Sequence, residues 1–243
     1  MEINDEGIII GQKKYGENYI LIDIFSKLNG LIRGLYRSSK KKNKVNLTDN
    51  IQFVWKSRNF DGLGIVKFEI NESFFSIIDN FSISLIKASI CEICLKLLPK
   101  GEKNKKIYIE ILTLLIFYKR ENKDLNYENF KFYVIWELNF LKHLGYALDI
   151  GKCAVTSEIK ELDFISPRTG RAVSKKIGEP WKSKLFKLPK FFINSNHPCI
   201  KEDLIEGLKI TNFFLKKINY SVGYDRKFRF IFKDEIYKKI INS

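Results

Sequence analysis

Two stretches of this 243-residue chain gather positive charge with almost nothing to oppose it. Between Ile24 and Thr48 stand seven basic residues, Lys27, Arg33, Arg37, Lys40, Lys41, Lys42 and Lys44, and no acid. From Arg168 to Lys190 there are eight, among them Arg171, Lys175 and Lys176, and only Glu179 opposes them. Clustered lysine and arginine suit a phosphate backbone, because binding there releases condensed counterions. Aromatic rings interleave with both clusters and could stack on unpaired bases, at ~1–3 kcal/mol per base. In the first half these are Tyr15, Tyr19, Tyr36, Phe53, Trp55 and Phe60. Strand alternation turns about half of them inward, which leaves Tyr15 and Phe60, both in turns, as the better candidates. In the second half, Arg171–Lys176 and Trp181-Lys182-Ser183-Lys184 form a basic-aromatic segment. Trp181 fits a core anchor as well as a base platform. The residues expected to bind nucleic acid are thus Arg33, Arg37, Lys40, Lys41, Lys42, Lys44, Arg168, Arg171, Lys175 and Lys176.

Other chemistries find less support. Cys91-x-x-Cys94 has the spacing of half a zinc site, but lies among Ile90, Ile93 and Leu97 at helical spacing, where free cysteines pack as small hydrophobes. Cys153 and Cys199 have no cysteine or histidine partners at ligand spacing beyond His197. A nucleophile needs a base, and His143 sits late in a helical segment instead. Acids are scattered singly or in surface pairs such as Asp234-Glu235, unlike the clustered carboxylates of two-metal nucleases. Gly62-Leu63-Gly64 lacks the Gly-Lys-Ser/Thr of a phosphate-binding loop. Neither an enzyme, a cofactor nor a bound metal is expected.

Net charge is +15 and 45% of residues are hydrophobic, enough for a real core in one or two domains. Part of that charge is solvated surface in a chain rich in Lys, Ile and Asn. Its distribution is uneven: residues 1–80 carry twelve basic and ten acidic residues, the remainder thirty-one and eighteen. Four cysteines, an acidic start (MEINDEGIII) and no apolar run near the ~20 residues of a membrane span predict a soluble cytoplasmic protein.

The elements that must position these residues change character near Asp79. Before it, Gly7–Ile10, Tyr19–Phe25, Leu31–Tyr36, Ile51–Trp55 and Gly64–Ile70 read as five short strands. Ile20, Ile22 and Ile24 share one face of the second, Leu21, Asp23 and Phe25 the other. Asn29-Gly30 predicts a two-residue hairpin turn. Five strands with basic connections suggest a small closed barrel of OB type, and an SH3-like barrel would satisfy the same pattern. After residue 80 the spacing is helical. Leu85–Leu97 ends before Pro99, Ile107–Tyr118 follows, and a third helix is capped by Asn126 and stopped by Gly145. The stretch from Ile150 to about Lys190 is irregular, with turns at Ser166-Pro167 and Thr169-Gly170. Two last helices are expected over Lys201–Ile218 and Lys227–Ile240.

In order and spacing these pieces resemble the bacterial recombination mediator family RecO. DEGIIIGQKKYGENYILIDIFSKLNG is similar to its opening strands, and Gly34-Leu35-Tyr36-Arg37 with the basic run after it to its third strand and cationic loop. Ile51–Trp55 and Leu63–Glu69 match the remaining strands, and Trp136–Tyr146 the central helix with its glycine stop. Cys153–Thr156 and Phe164–Ser174 resemble the segment beyond. The chain departs from the family in three places. Ser38-Ser39 replaces a frequent glycine pair. Val134 and Ile135 stand where basic residues are expected beside Trp136. Of the four cysteines that hold zinc in some members only Cys153 is present, with Thr156, Val173 and Lys176 at the other positions.

The resemblance implies an α+β protein. An N-terminal OB-fold β-barrel (residues 1–80) would precede an all-helical C-terminal domain (81–243) carrying a degenerate zinc-finger-like hairpin at about 150–180. It also implies binding of single- and double-stranded DNA and annealing of complementary strands. The partners it implies are RecR, with which RecA is loaded, and the acidic C-terminal tail of single-strand-binding protein. The location would be cytoplasmic and nucleoid-associated, with no membrane partner. An RNA-binding OB-fold chaperone is the alternative.

Overall fold

The computed structural model describes residues 1–38, 45–60, 62–75, 81–121 and 125–221. Lys40, Lys41, Lys42, Lys44 and the expected helix Lys227–Ile240 lie outside them. The described residues fall into two compact units, one running from Met1 and the other starting beyond Lys123.

The first unit opens with five strands, β1 (Glu2–Tyr15), β2 (Tyr19–Ser26), β3 (Gly30–Arg37), β4 (Asn50–Lys56) and β5 (Gly64–Glu72). They pair in the order β1-β2-β3-β5-β4, and β4 returns to β1, so the sheet closes on itself. Only β3 and β5 run parallel. The period-two pattern places Ile9, Ile22, Ile24, Ile32, Phe53, Trp55 and Val66 in one interior cluster. Close packing explains Gly34: a β-carbon there would come within 2.5 Å of Val66 and 3.0 Å of Trp55.

The turn between β2 and β3 differs from the expected two-residue form. Ser26 pairs with Gly30 across a three-residue loop, and only Gly30 takes positive φ, +71°. The cause lies on another strand. The buried carboxylate of Asp5 in β1 accepts hydrogen bonds from the Ser26 hydroxyl, the Leu28 amide (2.8 Å) and Asn29 Nδ2 (3.0 Å), which holds the longer loop in place.

Helices α1 (Phe81–Leu97) and α2 (Lys105–Arg120) belong to this unit as well. α1 is apolar nearly all round, as a helix covered on several sides must be, and it packs on β1. Cys91 and Cys94 are buried in it, and burial pushes the Cys91 thiol up to about 12. α2 is capped by Asn104, whose side chain accepts from the Ile107 amide. Tyr108 of α2 reaches the barrel, donating to Asn50 Oδ1 at 2.9 Å and packing on Phe25. The strand-to-helix change thus falls near residue 80, while the compact unit extends through both helices.

The second unit holds α3 (Tyr127–His143), β6 (Leu162–Ile165), β7 (Ala172–Ser174), α4 (Lys175–Gly178), a 3₁₀ turn (Glu179–Lys184), β8 (Phe186–Lys187), α5 (Lys190–Ile193) and α6 (Lys201–Ser221). It is not all helical: β7-β6-β8 form a three-stranded sheet in the stretch that reads as irregular from sequence. Those strands are two to four residues long, too short to show a period. Asn126 caps α3 in a reciprocal box with Asn129, and Gly145 ends it at φ +84°. α3 and α6 pack closely at Gly207, where a β-carbon would meet Phe191 at 2.9 Å and Val134 at 3.0 Å. Between them the buried Glu137 accepts from the Tyr133 hydroxyl (2.8 Å) and from the Thr211 hydroxyl.

Candidate nucleic-acid interface

In the first unit, strand register builds a surface from β1, β2 and β3. Tyr15 lies opposite Tyr19, and Tyr19 opposite Arg37. The next row on that face is Lys13, Leu21, Leu35 and Ile65. The third is Gly11, Asp23 and Arg33. The helices divide this face. At Gly11 the position of a missing β-carbon lies 3.2 Å from Leu95 of α1, so that end is covered. At the other end Lys13, Tyr15 and Arg37 are exposed, and Tyr19 is half-buried. Ser38 donates its amide to Asn18 O at 2.9 Å, which anchors the chain where the lysine-rich segment departs.

Arg33 and Arg37, equal in sequence, have different surroundings. Arg33 Nε sits 2.6 Å from the largely buried Asp23 carboxylate, so its charge is already partnered. Its carbonyl accepts from Trp55 Nε1 at 3.0 Å. Arg37 pairs with no carboxylate among the described residues.

Of the candidate rings, Tyr15 is 51% exposed. Phe60 is half-buried: it packs edge-on against Trp55 at 6.2 Å and lies against Gly101. Tyr36, Phe53 and Trp55 are core. Lys13 belongs with this surface although it stands outside both acid-poor basic stretches. Its signal is β1 itself, which runs to Tyr15 rather than stopping at Ile10.

In the second unit, the β6–β7 turn presents Arg168, exposed, with its carbonyl accepting from Lys217 at 3.3 Å. Gly170, at φ +69°, closes that turn by donating its amide to Ser166 O. Arg171 pairs with Asp149 at 3.2 Å. Lys175 and Lys176 open α4 and are exposed. Lys182 is bridged to Glu179 (2.8 Å) and Lys187 to Asp163.

The zinc positions converge only in part. Cys153 is buried with Phe164 and Val173 and accepts from the Ser174 amide at 3.3 Å, while Lys176 points to solvent. One thiol, a hydroxyl, a valine and an ammonium do not make the four-ligand set of a structural zinc site. Burial raises the Cys153 pKa, but hydrogen bonds from Thr156 and Ser174 outweigh it and hold the thiol down at about 6. Among the described residues no three His, Cys, Asp or Glu side chains are grouped as metal ligands. No described helix is long and apolar enough to cross a membrane.

Comparison with known proteins gives a consistent result. The family model described as Recombination protein O N terminal matches residues 1–74, and that described as Recombination protein O C terminal matches residues 81–217. The chain is similar to the DNA repair protein RecO of Rickettsia bellii, with 32% identity over 243 residues and 98% of each chain covered. It is likewise similar to the DNA repair protein RecO of Ehrlichia chaffeensis, with 34% identity over 226 residues covering 89% of this chain and 90% of the relative. The Rickettsia canadensis protein of the same name is 33% identical over 220 residues, covering 89% of each.

Proposed function

The chain belongs to the RecO family, and from that premise we propose that it is a non-enzymatic, DNA-binding recombination mediator acting in DNA repair. On this reading the closed five-stranded sheet is an OB-fold module, which binds strands across its sheet face. Single- and double-stranded DNA would bind the exposed cations of both units. Complementary strands would anneal there, because counterion release lowers the repulsion between two backbones held close. No bond need be made or broken. Partnership with RecR in loading RecA, and binding of the acidic tail of single-strand-binding protein, belong to the same reading, as does a nucleoid-associated, cytoplasmic location.

The observation that carries the proposal is the open end of the β1-β2-β3 face. Lys13, Tyr15, Tyr19 and Arg37 lie there in register, at the point where the chain enters Lys40–Lys44. Cations for phosphates beside rings for bases are the means by which single strands are held. The test is strand annealing on complementary oligonucleotides coated with single-strand-binding protein, without nucleotide cofactor. Acceleration that weakens with salt supports the reading. No acceleration, or chemical turnover of the DNA, overturns it. Competition by RNA tests the chaperone alternative, since use of the 2′-hydroxyl would show as RNA preference.

A further inference from the structure

The second unit carries an exposed ring that its own fold does not use. Of the three tryptophans in the chain, Trp55 is 1% exposed and Trp136 3%, whereas Trp181 is 57% exposed. An indole left in water forgoes the stabilisation its burial would bring. Its turn is nevertheless well anchored. Gly178 packs so closely on Phe164 that a β-carbon would lie 2.3 Å from the ring. On the far side of the turn, β8 pairs with β6 through Phe186 and Lys187. Lys184 Nζ lies 5.5 Å from the Trp181 ring centroid. Glu179, the one acid among the eight cations of this stretch, is taken up by Lys182 at 2.8 Å. The exposed Lys175 and Lys176 stand on the helix that leads into the turn.

We propose that Trp181 is a stacking platform for an unpaired base, with Lys184 beside it for the adjoining phosphate, so that the second unit engages single-stranded nucleic acid and not only duplex. A nucleotide carries a flat ring and a negative charge side by side, which is the pairing Trp181 and Lys184 present. A cationic surrounding selects a polyanion. A ring open to this extent offers a face to stack on, whereas an apolar peptide side chain gains affinity by being enclosed. Because the turn is held before binding, little ordering cost attaches to the interaction. The inference rests on the DNA-binding reading above and adds a ligand to its second surface.

The chain reports on itself, because the other two tryptophans are buried. Oligo(dT) added to the full-length protein at low salt is expected to quench the exposed emission and to shield it from acrylamide. A duplex of equal length should bind, as read by anisotropy of a labelled strand, without that quenching, since its bases are already stacked. In Trp181→Phe the quenching disappears while binding persists. Trp181→Ala should weaken oligo(dT) binding by about 5- to 150-fold, from ~1–3 kcal/mol per stacked base. Its salt slope and its duplex affinity should be unchanged, since every phosphate-binding cation is still in place. Wild-type affinity for oligo(dT) in Trp181→Ala, or unaltered emission on a protein shown to be loaded with strand, overturns the platform and leaves the general reading standing. Quenching by an acidic, apolar-ended peptide and not by oligo(dT) also overturns it, in favour of a protein partner. A wild-type protein that binds neither strand nor duplex removes both proposals.

Discussion

At the scale of residues, partnership decides what a charge can do. Arg33 and Arg37 lie four apart on one strand, yet among the described residues only Arg33 has a carboxylate partner, at 2.6 Å. Arg37→Ala is therefore expected to reduce DNA affinity and flatten the log K against log salt slope by about 0.7–0.9, the value of one neutralised phosphate. Arg33→Ala should leave that slope almost unchanged, and salt titration of both variants distinguishes them. Asp5 is a buried acid that sequence inspection passes over as one of the residues in an acidic start. Its carboxylate accepts from Ser26, Leu28 and Asn29 and so ties β1 to the β2–β3 turn. Asp5→Ala strands those donors, and a loss of about 2–3 kcal/mol is expected in urea unfolding. Cys153 gives a pH signature. Its folded pKa, about 6, lies below that of an unfolded thiol, so the unfolded chain binds the extra proton between the two values. The stability this contributes is full above the unfolded pKa and is lost as pH falls through about 6. Under reducing conditions the stability difference between wild type and Cys153→Ala should grow as pH rises from 6 to 9, as denaturant midpoints at each pH would show.

At the scale of elements, the strands and helices follow from local pattern, and their fit depends on a few close approaches. Asn126 and Gly145 bound α3 by means visible in sequence, a reciprocal cap at one end and a positive φ at the other. Gly207 is different. In a helix interior it reads as a weak point, but it lets α6 approach Val134 of α3 and Phe191 of α5. Gly207→Ala should therefore cost about 1–3 kcal/mol through overpacking, despite the better helix propensity of alanine. A lower melting temperature without loss of helical circular dichroism at low temperature would show it. The Asn29-Gly30 pair marks a turn correctly. The length of that turn was not legible, because the group that sets it, Asp5, comes from another strand. The half-burial of Phe60 was illegible for the same reason, since its partner Trp55 is a neighbour only after folding.

For the whole molecule, charge and family membership point to the same class of partner, and the ribbon Lys40–Lys42 is the part where charge is densest. Changing the three lysines together to alanine should weaken binding to every DNA sequence alike and lower the salt slope by up to about 0.7–0.9 for each phosphate no longer neutralised. An unchanged slope would remove the ribbon from the binding surface.

Residue order alone determined the five strands of the first unit, the change to helices near residue 80, the caps of α3 and the two acid-poor basic stretches, but not the short strands β6–β8. All of these are local properties, carried by side-chain period, turn chemistry and sign of charge. Only tertiary structure decided which cations keep their charge for a partner, which rings reach solvent, and which half of the β1-β2-β3 face stays open beside α1. Those outcomes depend on pairings between residues distant in sequence, such as Asp5 with Leu28 and Leu95 with Gly11. Such pairings leave no periodic trace in the chain, because each is specified by shape at a single point.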